Sequence, residues 1–216
     1  MLDRAQIVTV DNRFRFKVRH ASNSRRHNTT GFLILQDGAG HCGYGEFLTR
    51  EYVTGESVEQ AQGTLSQLLR EFPLELIDEP FRQLSEISSR LTGLPGVQAA
   101  LCALDLAILD LSSKRQGRSI AALFGNEAVS DQLFPQYTAV YPLTSSWKLQ
   151  GLALVYHRVL GLSEVKLKGS GDLETDCRVL RALRKFLPST CSVRIDFNEQ
   201  LSQLGAAEYL ARQMVK

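Results

Sequence analysis

The chain has 216 residues, an ordinary hydrophobic fraction of 44% and a net charge of +2, so it can bury a globular core. Its near-neutral charge, without blocks of like charge, argues against nucleic-acid and membrane-surface partners. The N-terminus lacks the apolar core of a signal peptide, and the richest apolar run, 99–111, contains two aspartates and is too short to span a bilayer. We therefore expect a cytoplasmic protein with no nucleic-acid and no membrane partner.

Four cysteines are scattered along the chain without a CxxC spacing. That distribution predicts neither a zinc knuckle nor a disulfide framework. We expect buried free thiols at Cys42, Cys102, Cys177 and Cys191.

The first part of the chain has the pattern of strands followed by helices. Alternating polar and apolar residues predict three strands, at 6–19, 31–36 and 44–47. Helical spacing predicts three helices, one closed by Pro73 and the others at 81–91 and 97–112. The second strand ends in a turn at Asp37-Gly38. This order favours an α+β unit, in which a small antiparallel sheet packs on a helical layer.

Later in the chain, strands and helices alternate strictly. Strands are predicted at 136–141, 164–168 and 192–197. Helices are predicted at 147–160, 173–186 and 204–215. Three such βα units open either a doubly wound sheet or a (β/α) barrel. Charges on the strands favour the barrel, because strands of a doubly wound sheet are covered on both faces and are nearly all apolar.

The second and third of these strands place charged side chains on one face. Lys166 and Lys168 project together, and so do Arg194, Asp196 and Asn198. Because barrel active sites lie at the C-terminal strand ends, we expect two amines and a carboxylate to converge there. Two adjacent ammonium groups disfavour each other's charge, so we expect at least one lysine pKa to fall and provide a base.

A carboxylate at the end of the third strand suits a hard divalent cation. Asp196 offers oxygen ligands of the kind that Mg²⁺ takes, and a cation beside a lysine suits removal of a proton α to a carboxylate. Each motif alone leaves an alternative open. The two lysines could be solvated on an exposed strand, and the aspartate could cap the following helix. Nucleotide binding is not indicated, because Gly169-Ser170-Gly171 matches no phosphate-binding pattern. The chain also has no HExxH or GxSxG motif.

Taken with the helix 99–111 and the segments 43–46 and 52–56, these residues resemble the enolase superfamily. The resemblance is to the mandelate racemase/muconate lactonizing enzyme type, within the muconate-lactonizing subgroup that includes dipeptide epimerases and N-acylamino acid racemases. It runs over essentially the whole chain. It implies an α+β capping domain at 1–130 and, at 131–216, the first three βα units of a TIM-type (β/α) barrel that is incomplete in this chain.

The resemblance also implies roles for individual residues. Lys168 would be the base, Lys166 its electrostatic partner and Asp196 the first of three carboxylate ligands to Mg²⁺. Specificity would come partly from cap loops at 19–30 and 49–55.

Substrate-binding residues are expected in the cap loops and on the first barrel strand. They are Arg25, Arg26, Tyr52 and Thr138. The basic cluster Arg25-Arg26-His27 indicates an anionic substrate group, with a solvated loop as the alternative.

Two features depart from the family pattern. Phe197 stands where the family usually has alanine, and Leu201 where it usually has tryptophan. The family's other metal ligands and its second acid/base lysine lie on later barrel strands, whereas this chain ends at Lys216 within the third βα unit. We therefore expect the isolated chain to be inactive.

For the full-length enzyme, the expected function is Mg²⁺-dependent removal of the α-proton of a small-molecule carboxylate through an enediolate. The leading expectation is racemisation or epimerisation of an amino acid derivative or dipeptide. Cycloisomerisation and acid-sugar dehydration are the alternatives within the superfamily. A truncated, non-catalytic remnant acting as a binding or interaction module is a rival of another class. A third alternative, a small doubly wound binding protein, would require solvent-facing lysines at 166 and 168. Assembly into a homo-oligomer is also possible from the sequence.

Overall fold

A computed structural model provides the coordinates of the protein. It describes residues 2–19, 24–71, 74–75, 77–90, 94–125, 136–141, 146–197, 201, 208 and 212. The described residues form two compact units, one within 2–18 and 24–125 and the other from 136 onward. The boundary predicted at residues 130 and 131 and the helix predicted at 204–215 lie outside the described residues, apart from Glu208 and Arg212 of that helix.

The first unit opens with a three-stranded sheet of order β1-β2-β3. Its strands are β1 (Leu2–Arg19), β2 (Ser24–Asp37) and β3 (Cys42–Phe47). Strands β2 and β3 pair antiparallel, from Gly31 opposite Phe47 to Gln36 opposite Cys42. The turn at Asp37-Gly38 is confirmed, since the Gly40 amide donates to the Asp37 carbonyl at 3.1 Å.

Strand β2 begins earlier than its apolar pattern predicts. The segment 19–30, expected as a cap loop, is strand from Ser24 onward, while residues 20–23 lie outside the described part. The polar side chains of this segment are accommodated because they bond across the sheet, as Thr29 Oγ1 does to Asp11 Oδ1. The backbone ladder therefore extends through residues whose side chains carry no strand signal.

Five helices follow among the described residues of the first unit. They are α1 (Glu51–Thr54), α2 (Val58–Glu71), α3 (Pro80–Ser88), α4 (Val97–Gln116) and α5 (Ile120–Leu123). The three longer helices were predicted, whereas α1 and α5 are single turns that show no periodicity. The cap loop expected at 49–55 thus contains a helical turn, which ends at Gly55 in a left-handed conformation with φ 71°.

Helix α4 packs directly on β3, and two glycines of the strand allow that approach. A methyl group on Gly43 or Gly45 would collide with the α4 backbone at Ala107 and Ala103. One face of α4 is buried, because Ala100, Ala103, Leu104, Ala107, Ile108 and Leu111 are almost fully enclosed. Close contact of helix and sheet is therefore the centre of the first core.

A buried carboxylate fixes the hairpin that joins β2 to β3. The Asp37 side chain is only 1% exposed, and its Oδ2 lies 3.1 Å from both His41 Nδ1 and Arg115 Nη1. Burial alone would raise the pKa of Asp37, but hydrogen bonds from His41 and Ala39 outweigh it and lower the pKa to about 2.

The second unit alternates strands with helices. Its strands β4 (Thr138–Tyr141), β5 (Glu164–Lys168) and β6 (Ser192–Asp196) form a parallel sheet of order β4-β5-β6. Its helices are α6 (Ser146–Ala153) and α7 (Leu173–Arg184). The helix predicted at 147–160 is α-helical only to Ala153, and 154–159 continues as a π-helix. Such wider turns are local insertions that a 3.6-residue period does not reveal.

Apolar side chains of the sheet and both helices form the second core. Val165 and Leu167 of β5 are buried in it, together with Ala139 and Tyr141 of β4. The cysteines are free, as expected, but only Cys177 and Cys191 are buried. Cys102 is exposed and Cys42 half-buried, because each lies on the outer side of its element. No helix in the described ranges has the length and apolar character needed to cross a membrane.

Replacing Gly45 by alanine tests the contact between β3 and α4. We expect Gly45→Ala to lower the free energy of unfolding by about 1–3 kcal/mol, because its methyl group meets helix backbone that has little room to shift. Gly63→Ala is the matched control, since its methyl group on α2 contacts nothing within 4 Å and should be neutral or slightly stabilising. Urea denaturation followed by circular dichroism measures both, and equal midpoints would refute the close packing.

Replacing Asp37 by asparagine tests the buried carboxylate. Its folded-state pKa of about 2 lies below the usual 3.8, so its stabilisation is complete above about pH 4 and disappears as the pH falls through 2. Asp37→Asn should therefore be less stable than the parent at pH 7, with the two converging toward pH 2. Denaturation midpoints at pH 7, 4 and 2 measure this, with exposed Asp3→Asn as the control; a constant difference between parent and Asp37→Asn contradicts the assignment.

Candidate active site

The register of β5 and β6 brings the predicted catalytic side chains together. Lys166 lies opposite Arg194, and Lys168 opposite Asp196, in a parallel pair without a bulge. Alternate residues of β5 point into the helical layer, where Val165 and Leu167 are buried. The charged residues therefore share the opposite face, as the alternation predicts.

Two lysines converge on a single oxygen atom. Lys166 Nζ lies 2.7 Å and Lys168 Nζ 2.8 Å from Asp196 Oδ2. The exposed fractions of the Lys166, Lys168 and Asp196 side chains are 39%, 30% and 24%, so the cluster is accessible but not fully solvated. Its ionised form carries a net charge of +1, which attracts an anion. The two lysines are therefore half-buried and ion-paired rather than freely solvated.

Thr138 shares this face but lies at the opposite end of the sheet. It pairs with Glu164, four residues before Lys168, which corresponds to roughly 13 Å along the strand. Arg194 donates from Nη2 to Thr138 Oγ1 at 3.1 Å, and the same nitrogen lies 3.9 Å from Glu164 Oε2. The structure thus separates Thr138 from the lysines and engages its hydroxyl with Arg194.

The loop after β5 is held by a buried carboxylate that was not among the predicted site residues. Asp176 on α7 is 1% exposed. Its Oδ1 accepts from the Ser170 amide and hydroxyl, both at 2.8 Å, and its Oδ2 accepts from the Gly171 amide at 3.1 Å. A carboxylate in the first turn of a helix after a Gly-Ser-Gly loop is the signal that could have identified it. Asp176 thereby fixes the chain immediately after Lys168.

Phe197 occupies the space beside the lysine strand. The Gly169 amide donates to the Asp196 carbonyl at 2.9 Å, which ties the ends of β5 and β6 together. A methyl group on Gly169 would collide with the Phe197 ring. The unusual phenylalanine is therefore accommodated by a glycine that directly follows the neighbouring strand.

The described residues offer one ligand for a divalent cation at this cluster. Asp196 supplies hard carboxylate oxygens of the type that Mg²⁺ prefers, but its Oδ2 already contacts two ammonium groups. No group of three or more His, Cys, Asp or Glu side chains in the described part of the chain could hold a metal ion. Asp196 thus fits as one member of a metal site and does not form one by itself.

A pocket of about 350 Å³ lies on the first unit and contains part of the predicted substrate-binding set. Arg25 and Tyr52 line it, whereas Arg26 does not. The Arg25 guanidinium donates to Asn28 Oδ1 at 2.7 Å and stacks 5.4 Å from the centre of the Phe14 ring. Arg50, which no motif indicated, also lines the pocket.

Two curated proteins are similar to the chain in sequence. It is 29% identical over 173 residues to an L-Lys-D/L-Arg epimerase of Desulforapulum autotrophicum, covering 78% of this chain and 46% of that protein. It is 23% identical over 171 residues to an N-succinyl-L-Arg/Lys racemase of Bacillus cereus, covering 76% of this chain and 43% of that protein. The chain thus spans less than half the length of either relative. No protein-family model matches it.

A solved structure shows the same fold. The dipeptide epimerase of Methylococcus capsulatus, complexed with Mg and the dipeptide L-Arg-D-Lys, superposes with a TM-score of 0.80 and 23% identity over 99% of this chain and 58% of that chain. The fold is therefore a capping domain followed by part of a barrel, as expected. The chain is therefore similar in sequence to an epimerase and a racemase and shares the fold of a dipeptide epimerase, which confirms the expected resemblance to this kind of protein.

A double-mutant cycle tests the contact between Gly169 and Phe197. Gly169→Ala should destabilise the parent by about 1–2 kcal/mol, since the Phe197 ring must move aside, and should cost much less in a Phe197→Ala background. Chemical denaturation of the four proteins gives the coupling energy. Gly151→Ala on α6 is the control, because nothing lies within 4 Å of its methyl group. Equal costs of Gly169→Ala in both backgrounds would show that the two residues do not interact.

Proposed function

We propose that the chain contributes the N-terminal part of a Mg²⁺-dependent racemase or epimerase that removes the proton α to a carboxylate. The names of the similar proteins support an amino acid derivative or a dipeptide as substrate. Because the chain covers only 46% and 43% of the two curated relatives, the complete activity requires residues beyond this part. The observation that carries the proposal is the contact of Lys166 and Lys168 with one oxygen of Asp196.

Lys168 is the proposed base. When it is a neutral amine, Lys166 alone balances the charge of Asp196, 2.7 Å away, and the three groups are neutral together. Once Lys168 has accepted the α-proton, the cluster carries a charge of +1. That charge forms at the moment when the substrate becomes more negative, so it favours the enediolate over the bound substrate. Lys166 is the electrostatic partner that keeps Asp196 compensated in both states.

Asp196 is the proposed first ligand of Mg²⁺. When bound, the metal ion supplies electrostatic stabilisation of the negative charge that develops on the substrate carboxylate. The remaining ligands belong, in this proposal, to carboxylates of later barrel strands. The chain's own contribution is to hold Asp196 in register with Lys168, through the β5–β6 ladder and the Gly169 amide.

Substrate contacts are proposed for the cap pocket and the first barrel strand. Arg25 and Tyr52 line the pocket, which supports a contact between these side chains and a molecule bound there. Arg26 and Thr138 also stay in the proposed set, although neither lines this pocket. Thr138 already accepts a hydrogen bond from Arg194, so its role would be to position that guanidinium.

The coding sequence gives the first test of this proposal. An in-frame continuation past Lys216 that encodes further strand-end carboxylates and a lysine supports the enzyme. A stop codon there overturns it in favour of a non-catalytic remnant. We expect purified residues 1–216 to show no Mg²⁺-dependent exchange of substrate α-hydrogen with D₂O, because one carboxylate does not hold the metal ion tightly. Exchange by the isolated chain would contradict the requirement for later strands.

Lys168→Ala, made in the protein encoded by the complete reading frame, tests the base. We expect α-hydrogen exchange to fall by at least about 10³-fold, because the group that accepts the proton is removed, while Mg²⁺ binding measured by calorimetry is largely retained. Lys185→Ala is the matched control, since Lys185 is exposed and lies just beyond α7. Proton NMR in D₂O with N-acyl amino acids and dipeptides follows the exchange. Retained turnover in Lys168→Ala would rule out its role as base.

A further inference from the structure

Strand β3 has an outer edge that pairs with no strand among the described residues. It is the last strand in the sheet order β1-β2-β3, and its inner edge pairs antiparallel with β2. The Tyr44 amide points outward, because it donates to Asp110 of α4 and not to β2. Since outward-pointing backbone groups belong to alternate residues, those of Cys42 and Glu46 share this direction. An edge of this kind can accept a further strand.

Two side chains of α4 cover this edge. Asp110 Oδ2 accepts from the Tyr44 amide at 2.9 Å, and Lys114 Nζ donates to the Cys42 carbonyl at 2.7 Å. The carboxylate thus stands where an added strand would place a carbonyl, and the ammonium stands where it would place an amide. Lys114 Nζ also donates to Asp110 Oδ2 at 2.7 Å, so the two charges compensate each other.

The Lys114 side chain also occupies the space that an added strand needs. Gly43 and Gly45 face α4, since a methyl group on either would collide with the helix backbone. Tyr44 therefore projects from the opposite face of β3. Lys114 Nζ nonetheless lies 4.8 Å from the centre of the Tyr44 ring, close enough for a cation–π interaction. The lysine thus extends from α4 around the edge of the strand to its other face.

Without this cover, the edge matches a second copy of itself. In an antiparallel pair related by a two-fold axis at Tyr44, each tyrosine lies opposite its own copy, and Cys42 lies opposite Glu46 of the second copy. This register pairs every outward-pointing residue of the strand. It sets no like charges opposite each other, and it adds a cross-strand pair of aromatic rings, which is stabilising. A second β3 is therefore the strand that this edge fits.

We propose that Asp110 and Lys114 form an edge cover that keeps β3 from pairing with β3 of a second copy of the chain. The cover satisfies the backbone groups to which an added strand would bond. It also places two charges in the path of that strand, and burying them against it would cost free energy. This inference does not rest on the proposed function, because the edge belongs to the first unit and involves neither Lys168 nor a metal ion.

Removing the cover tests the proposal. Asp110→Ala/Lys114→Ala in residues 1–216 should self-associate at least about tenfold more tightly than the parent, because the uncovered backbone groups gain a partner. Sedimentation equilibrium measures the association, and circular dichroism checks that the variant folds. Hydrogen exchange at two protein concentrations locates it, since amides of 42–47 should gain protection as the concentration rises. Adding Tyr44→Lys to the double variant should reverse the gain, because it sets two ammonium groups opposite each other.

An exposed ion pair on another helix provides the matched control. Arg82→Ala/Glu86→Ala removes a pair with the same i,i+4 spacing from α3, without uncovering a strand, and should associate like the parent. Unchanged association of the folded Asp110→Ala/Lys114→Ala variant would overturn the proposal. A gain that Tyr44→Lys leaves intact, or protection that rises with concentration only outside β3, would overturn it as well.

A single substitution keeps the proposal testable if the double variant does not fold. Lys114→Met retains the length of the side chain but uncovers the Cys42 carbonyl and removes the ammonium group. It should give a smaller gain in self-association than the double variant, with the same protection of 42–47. Association equal to that of the parent would then overturn the proposal.

Discussion

Two ammonium groups share one carboxylate oxygen at the ends of β5 and β6, and the proposed chemistry depends on that contact. It exists because the two strands pair in parallel with Lys168 opposite Asp196. A slip of one residue in either strand would turn its charged side chains into the helical layer and bring apolar ones to the open face. Such a slip is strongly disfavoured, since it would expose Val165 and Leu167, which are at most 1% exposed in the second core.

The open face is shaped by what lies behind and beyond the strands. Behind them, the apolar side chains of β4 and β5 pack on the helices and fix the sheet. Beyond them, Asp176 accepts three hydrogen bonds from the loop at Ser170 and Gly171, and the Gly169 amide bonds to the Asp196 carbonyl. The chain that follows Lys168, the last residue of β5, is therefore held both by α7 and by β6. Such support is what keeps a reactive side chain within a narrow range of positions.

The sequence predicted those parts of the structure that repeat with a clear period. Strand β5 was expected at 164–168 and is found there, because alternating charge and apolar character marks both its faces. Helix α1, the π-helix at 154–159 and Asp176 were not expected, since each depends on single hydrogen bonds rather than on periodicity.

Charge compensation distinguishes the candidate site from the rest of the described surface. Asp37 in the first unit has His41 and Arg115 as partners at 3.1 Å, and its charge is balanced within the fold. In the second unit, by contrast, two ammonium groups meet one carboxylate. Compensated ion pairs fix structure, whereas an excess of positive charge in a partly enclosed place favours an anionic ligand. On that criterion the cluster of Lys166, Lys168 and Asp196 is suited to an anionic ligand, and it has the lysine proposed to remove a proton.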